Sequence, residues 1–211
     1  HQRLAYNSSI FLINALLNWS FLGINALHSV NGLMVLWAVF FGISGLDTLL
    51  QKKWDFSVLP RLLVFLFTIW RYKHSISSPN PDLPGEIIIW LIVCLLCSYW
   101  PIIKSKAEQQ QLLLLNLMLA GFATTIKLAF LPAFIILFFY CLFIFLKNKN
   151  YNLLFKTTFL LIFIFLPWCG RSLLVSGYLV YPVVALDFFH FDWKIPASIV
   201  QKDLQEIIFW G

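Results

Sequence analysis

Long apolar stretches separated by short polar or charged segments dominate this chain. Hydrophobic residues make up 61% of it and charged residues 11%, whereas a typical soluble domain is about a quarter charged. So few charges cannot form a polar shell around one core, and lipid must therefore solvate much of the surface. The sequence predicts an all-α fold, a polytopic transmembrane helical bundle with interfacial helices on its extracytoplasmic side.

The apolar pattern divides the chain into three regions. We expect residues 29–174 to form the transmembrane helical bundle. Residues 1–28 would be the end of an extracytoplasmic loop with an interfacial helix, and residues 175–211 an extracytoplasmic loop with an amphipathic helix. The chain opens without an initiator Met and ends abruptly, which predicts a fragment of a longer membrane protein.

An asparagine stripe marks the first apolar stretch. Asn14, Asn18 and Asn25 are four and seven residues apart and share one face of a helix. Such a stripe is typical of an interfacial helix. The alternative is a true span whose amides turn toward neighbouring helices.

The basic residues predict which way the chain is oriented. The net charge of +6 is spread between apolar runs, which favours membrane lipid, and not nucleic acid, as a partner. When alternate connections are assigned to opposite sides, the compact basic clusters fall on one side, which we place in the cytoplasm. That side receives Lys52, Lys53, Arg61, Lys104, Lys106, Lys147, Lys149 and Lys156.

A proline-rich segment, Ser77–Pro84, separates two apolar stretches and carries Asp82. Three prolines restrict its backbone to extended conformations, so it would hold a carboxylate at the boundary between water and lipid. The alternative is that Asp82 only caps the next helix, since Asp followed by Pro is a common helix start.

Three ionisable residues converge on the extracytoplasmic face in this topology. Asp82, Lys127 and Arg171 come from three different connections. Lys127 and Arg171 are suited to bind an anion such as a lipid phosphate, and Asp82 to accept a proton or orient a sugar hydroxyl. The alternative is that both cations extend to ordinary lipid head groups.

Short motifs along the chain resemble the polytopic glycosyltransferases of the C superfold. The first is Gly121–Leu128, with Thr124, Thr125 and Lys127 before a turn into a new helix. The second is Pro167–Ser172, followed by Ser176-Gly177-Tyr178 and Tyr181-Pro182, with Ser172 where Asn is usual. Residues 1–9 and 77–84 resemble a bacterial branch of membrane glycosyltransferases known mainly from genomes.

The resemblance implies an activity and a set of site residues. The donor would be a polyprenyl-phosphate-linked sugar, and the acceptor, a glycan, lipid or protein, stays open. Asp82 would be catalytic, although the family's first acidic residue falls outside this chain. Residues that would bind substrate are Lys127, Arg171, Ser78, Arg3, Asn7 and Tyr181. The protein would lie in the bacterial cytoplasmic (inner) membrane with its active face outside.

No cofactor can be assigned with certainty from the sequence. A divalent metal stays open, because some relatives use one and Asp187, His190 and Asp192 lie close together. Their spacing matches no known ligand pattern, and a hydrated loop explains them more simply.

The four cysteines are predicted to be packed side chains. Cys94, Cys97, Cys141 and Cys169 all fall within apolar stretches, which favours packed thiols over a redox or zinc site.

Two alternative functions stay open beside the glycosyltransferase. The first is a transporter or flippase of a lipid-linked anion, and the second is a non-enzymatic membrane assembly subunit.

Overall fold

The computed structural model describes residues 8–16, 29–51, 56–72 and 81–210. Within these ranges all regular structure is helical, which confirms the all-α prediction. The helices are α1 (Ser9–Leu16), α2 (Ser29–Leu50), α3 (Val58–Tyr72), α4 (Asp82–Tyr99), α5 (Lys106–Ile126), α6 (Leu131–Lys147), α7 (Tyr151–Ser176) and α8 (Ala197–Trp210). Two short 3-10 turns cover Leu128–Phe130 and Val184–Leu186.

Four of these segments are long and apolar enough to cross a membrane. They are Val30–Leu50, Asp82–Tyr99, Leu128–Lys147 and Tyr151–Ser176. A helix of about 20 residues spans the roughly 30 Å hydrocarbon core of a bilayer. A fifth apolar segment, Val58–Trp70 in α3, is shorter. These lengths and compositions indicate an integral membrane protein.

The helices from α2 to α7 run up and down the bundle. Each packs against the next one along the chain. Lys104, Lys106, Lys147 and Lys149 therefore lie at one end of the bundle, which we call the lysine end. Asp82 and Lys127 lie at the opposite end, which we call the Asp82 end.

Helix α5 is the centre of the bundle, where it contacts α1, α4, α6 and α7. The charged and glutamine-rich composition of residues 104–111 predicts a short loop, and this prediction is wrong, because α5 already begins at Lys106. Gln110 is buried, and its Oε1 accepts a hydrogen bond of 2.8 Å from Asn150 Nδ2. This partner satisfies a polar side chain in the first turns, so the helix continues where composition suggested a loop.

Helix α1 packs onto the Asp82 end. Its Ile10 is 1% exposed and lies in a core cluster drawn from four helices. The other buried members are Val30, Ile88, Ile92, Ala120, Ala123 and Ile126. Asn14 shares the buried face of α1 with Ile10, whereas Asn18 and Asn25 lie outside the described residues.

The bundle ends where α7 turns into the last loop. Helix α7 continues through Pro167 and stops at Ser176, two residues past the expected boundary at 174. Gly177 follows at φ +80°, a left-handed conformation that glycine adopts without strain. The helix expected near the end of the chain is α8.

The cysteines are packed among the helices. Cys94 and Cys141 are buried, Cys97 and Cys169 are half-buried, and all four carry free thiols. This arrangement is the one predicted for thiols that act as small hydrophobic side chains.

Candidate functional site at the Asp82 end

An ion pair joins two of the residues singled out from the sequence. Lys127 Nζ lies 2.8 Å from Asp82 Oδ1. The two side chains are about one third exposed, at 36% and 32%. The predicted approach of Asp82 and Lys127 is therefore present as a direct contact between charged groups.

Backbone geometry explains how Lys127 reaches this position. It is the single extended residue, at φ −149° and ψ 128°, between the end of α5 and the 3-10 turn. Its N–H still donates to Ala123 O, and its carbonyl accepts from Phe130 N. The tight turn predicted near Lys127 is thus confirmed, and Lys127 is the residue at which α5 ends and the 3-10 turn begins.

Gly85 allows α4 to approach this turn. A Cβ atom at that position would overlap the ring of Phe130. Since Gly85 lies in the first turn of α4, three residues after Asp82, its missing side chain brings the carboxylate close to Lys127. The contact depends on one glycine and one aromatic ring.

Asp82 does not act as the helix cap that the alternative reading proposed. It is the first residue of α4, the capping position belongs to Pro81, and Pro81 makes no side-chain capping hydrogen bond. The Asp82 carboxylate instead faces Lys127. An exposed ion pair of this kind contributes only about 0–1 kcal/mol to stability, so stability is a weak reason for two charges at a membrane boundary.

Arg171 lies at the same end but contacts a different element. Its Nη1 donates to the carbonyl oxygen of Ser8 at 3.3 Å. Ser8 directly precedes α1, so this hydrogen bond links α7 to the residue before α1. Among the described residues Arg171 forms no ion pair with a carboxylate, and most of its donors remain open to an anion.

Two buried polar side chains at and before α1 have no hydrogen-bond partner within the described residues. They are Ser8, 4% exposed, and Asn14, 2% exposed. Unsatisfied polar atoms in an apolar setting are costly. The asparagine stripe included Asn14 but did not single it out as buried, and it gave no signal for Ser8.

Tyr181 has a structural contact instead of an open binding position. It is 3% exposed, and its hydroxyl donates to Asp203 in α8. Its backbone N–H donates to Ser172 Oγ at 3.2 Å. The structure therefore places this predicted substrate-binding residue in the core of the last loop.

The rest of the motif around Arg171 folds the last loop onto α7. Ser172 and Ser176 are fully buried, and Tyr178 donates to Ile195 O at 3.0 Å. Burial raises the pKa of Tyr178, so its phenol remains a hydrogen-bond donor. Arg171 is the only charged residue of that motif, which leaves it as the member suited to anion binding.

The remaining candidates have different outcomes. Arg3, Asn7 and Ser78 lie outside the described residues. Asp187 pairs with Lys194, whose Nζ also donates to Phe189 O at 2.7 Å. Across the described ranges, no group of three His, Cys, Asp or Glu residues is arranged to hold a metal ion.

The fold and this site define a polytopic helical membrane protein with a charged cluster at one end. The chain belongs to the family described as a domain of unknown function, DUF8201, whose model matches residues 1–211. No curated protein matches the chain, and no solved structure matches it.

Proposed function

We propose that this chain is part of an integral membrane glycosyltransferase. It would move a sugar from a polyprenyl-phosphate-linked donor to an extracytoplasmic acceptor, in the cytoplasmic membrane of a bacterium. Support comes from the motif resemblance around Lys127 and Arg171, and from the cluster of ionisable groups at the Asp82 end. The observation that carries the proposal is the 2.8 Å contact between Lys127 and Asp82.

This contact suggests how donor binding prepares the site. A phosphate entering from the bilayer would compete with Asp82 for Lys127, since both anions are ligands for one ammonium group. Arg171 offers further donors at the same end. Once Lys127 has turned to the phosphate, the Asp82 carboxylate is available to an acceptor hydroxyl.

The transfer step then follows. The acceptor oxygen attacks the anomeric carbon of the sugar, and Asp82 takes the hydroxyl proton as general base. The bond between that carbon and the phosphate oxygen breaks, and polyprenyl phosphate leaves with the bonding electrons. Lys127 and Arg171 stabilise the negative charge that this phosphate gains.

The transporter alternative receives less support. Transporters often place their sites at interrupted helices near the middle of the membrane. Here α7 runs unbroken through Pro167, and Asp82, Lys127 and Arg171 all lie toward one end. The assembly-subunit alternative would give the ion pair a purely structural role in fixing α4 against α5.

The first test measures phosphate recognition without knowledge of the sugar. Polyprenyl phosphate and polyprenol are added separately to the purified full-length protein, and retained lipid is counted by native mass spectrometry. We expect the phosphate form to bind and Lys127→Gln to weaken it at least tenfold. The matched control is Lys194→Gln, which removes a paired lysine from the last loop. Equal retention of both lipids would contradict the proposal.

The second test separates chemistry from structure. In the double variant Asp82→Lys with Lys127→Asp the charges exchange places, so a structural ion pair is restored while the base and the phosphate ligand are misplaced. We expect near-normal thermal stability but transfer reduced by about 10²-fold or more. Transfer is followed as polyprenyl phosphate released from donors that carry a labelled hexose or pentose.

Single variants complete this test. Asp82→Asn should lose transfer, whereas Asp187→Asn, which breaks the other ion pair, should retain it. Normal transfer by the exchanged pair would contradict the chemical roles of Asp82 and Lys127 and leave only a structural role for their ion pair. Movement of intact donor across vesicles without release of polyprenyl phosphate would instead favour the flippase.

A further inference from the structure

Arg61 lies at the lysine end, far from the site described above. It occupies the first turn of α3, where its Nη2 donates to Ser57 Oγ at 3.2 Å and to Ser98 Oγ of α4 at 3.5 Å. Its guanidinium also lies 5.5 Å from the ring centre of Phe41 in α2. One cation thus sits where three helices meet.

This cation lacks an anionic partner within the described residues. Arg61 makes no ion pair there, and its Nε is buried without a hydrogen-bond partner. Both serines that accept from it are neutral and buried. An arginine among apolar helices is costly unless it is paired with an anion or reaches the interface, so the site is suited to an external anion.

An apolar groove lies at the same end of the bundle, lined by residues next in sequence to the hydrogen-bond partners of Arg61. It has a volume of about 370 Å³, and its walls come from α4, α5 and α6 and from the residues that flank α3 and α4. Phe56 and Cys97 line it and immediately precede Ser57 and Ser98, the two partners of Arg61. The backbone at these two positions therefore connects the groove to the serines that hold Arg61.

The groove is suited to a hydrocarbon chain. Leu113 and Leu137 contribute aliphatic surface. Trp100 and Tyr140 contribute aromatic rings whose centres lie 6.4 Å apart. The volume falls within the usual range of about 300–1,000 Å³ for ligand sites. A free phosphate would not need such a surface, whereas a phospholipid presents a charged head next to an acyl chain.

We propose that Arg61 binds the phosphate of an anionic phospholipid whose acyl chain occupies this groove. Charge supports this occupant, because Lys104, Lys106, Lys147 and Lys149 lie at the same end of the bundle. Basic pockets between transmembrane helices bind anionic head groups in this way. The site is separate from the proposed sugar-transfer site, since α4 extends from Asp82 at one end to Ser98 near the other.

The experiment compares two lipids on the purified protein. Phosphatidylglycerol and phosphatidylcholine with identical acyl chains are titrated, and bound lipid is measured by native mass spectrometry. We expect phosphatidylglycerol to bind at least tenfold more tightly to the unaltered protein. Equal affinities for the two lipids would overturn the proposal without any variant being made.

Three variants locate the site. Arg61→Gln should reduce phosphatidylglycerol binding about tenfold, and Cys97→Phe, which fills the groove but keeps Arg61, should also reduce it. Lys147→Gln removes a charge from the same end, outside the groove, and should leave the binding within about twofold. If Lys147→Gln weakens binding as much as Arg61→Gln, only the general charge of this end acts and the site is absent.

Inorganic phosphate provides the last comparison. At millimolar concentration it should fail to displace phosphatidylglycerol, because it cannot use the groove. Displacement by phosphate with no effect of Cys97→Phe would identify a simple anion site and reject the lipid. Binding of polyprenyl phosphate at the Asp82 end should stay unchanged in Arg61→Gln, so failure of one proposal is distinguishable from failure of the other.

Discussion

At the scale of single residues, side chains near the Asp82 end differ in how far they are exposed. Asp82 and Lys127 are one third exposed and contact each other. Tyr181, from the same motif region as Arg171, is buried against Asp203. Exposure therefore separates the residues that a ligand can reach from those that hold the last loop together.

Removal of the Tyr181 hydroxyl tests this distinction. Tyr181→Phe leaves the buried Asp203 without the hydrogen bond from that hydroxyl, which should lower the free energy of unfolding by about 1–3 kcal/mol. Thermal unfolding in detergent measures the change. Tyr151→Phe, at a tyrosine that is 63% exposed, should leave stability nearly unchanged. An unaltered melting temperature for Tyr181→Phe with weaker donor binding would instead restore its role in substrate recognition.

At the scale of helices, close approach depends on glycines that have no room for a side chain. A Cβ atom at Gly42 of α2 would overlap Phe65 of α3, and one at Gly45 would lie 2.8 Å from Arg61 Cβ. These two glycines bring α2 and α3 together and hold Arg61 at the interface between them. Gly85 likewise allows α4 to pack closely against the 3-10 turn after Lys127.

Two alanine substitutions in one helix test this packing. Gly42→Ala should destabilise the bundle by about 1–3 kcal/mol, because α2 and α3 must separate to admit the methyl group. Gly32→Ala should be neutral or slightly stabilising, since nothing lies within 4 Å of a Cβ atom there and alanine favours a helix over glycine by roughly 0.5–1 kcal/mol. Thermal unfolding of both variants checks the difference, and similar losses at both positions would contradict the packing argument.

At the scale of the whole molecule, the up-and-down helices fix which loops share a side. Between residues 104 and 190 the chain passes through α5, α6 and α7. Helices α6 and α7 are long and apolar enough to cross a membrane, and if α5 crosses with them, the two positions lie on opposite faces. The distribution of basic clusters predicts that position 104 faces the cytoplasm.

Cysteine labelling checks both statements. In intact cells, a membrane-impermeant maleimide should label His190→Cys and leave Lys104→Cys unlabelled, and both should react after the membrane is opened. The unsubstituted protein, with its four native cysteines, gives the background. Labelling of both positions in intact cells would reject the number of crossings, and labelling of Lys104→Cys alone would reverse the orientation.

Local properties of the sequence determined the class of protein, a helical membrane protein. The lengths of the apolar runs predict membrane-spanning helices, and the Gly121–Leu128 motif predicted the turn at Lys127. The same reasoning missed the start of α5, because Gln110 is satisfied by Asn150 from another helix. Composition near a helix end cannot reveal a partner that is distant in sequence.

Only the tertiary structure decided which of the candidate residues meet. The topology predicted that Asp82, Lys127 and Arg171 share one end, but Asp82 contacts Lys127 while Arg171 bonds to Ser8, 163 residues away in sequence. These partners depend on how helices pack side by side, and that packing depends on absent side chains such as the one at Gly85. The sequence by itself set the helices and their order, because burial in lipid depends on local hydrophobicity. The site could be identified only from the fold, because whether two charges meet depends on the lateral distances between helices, and no local sequence pattern encodes those distances.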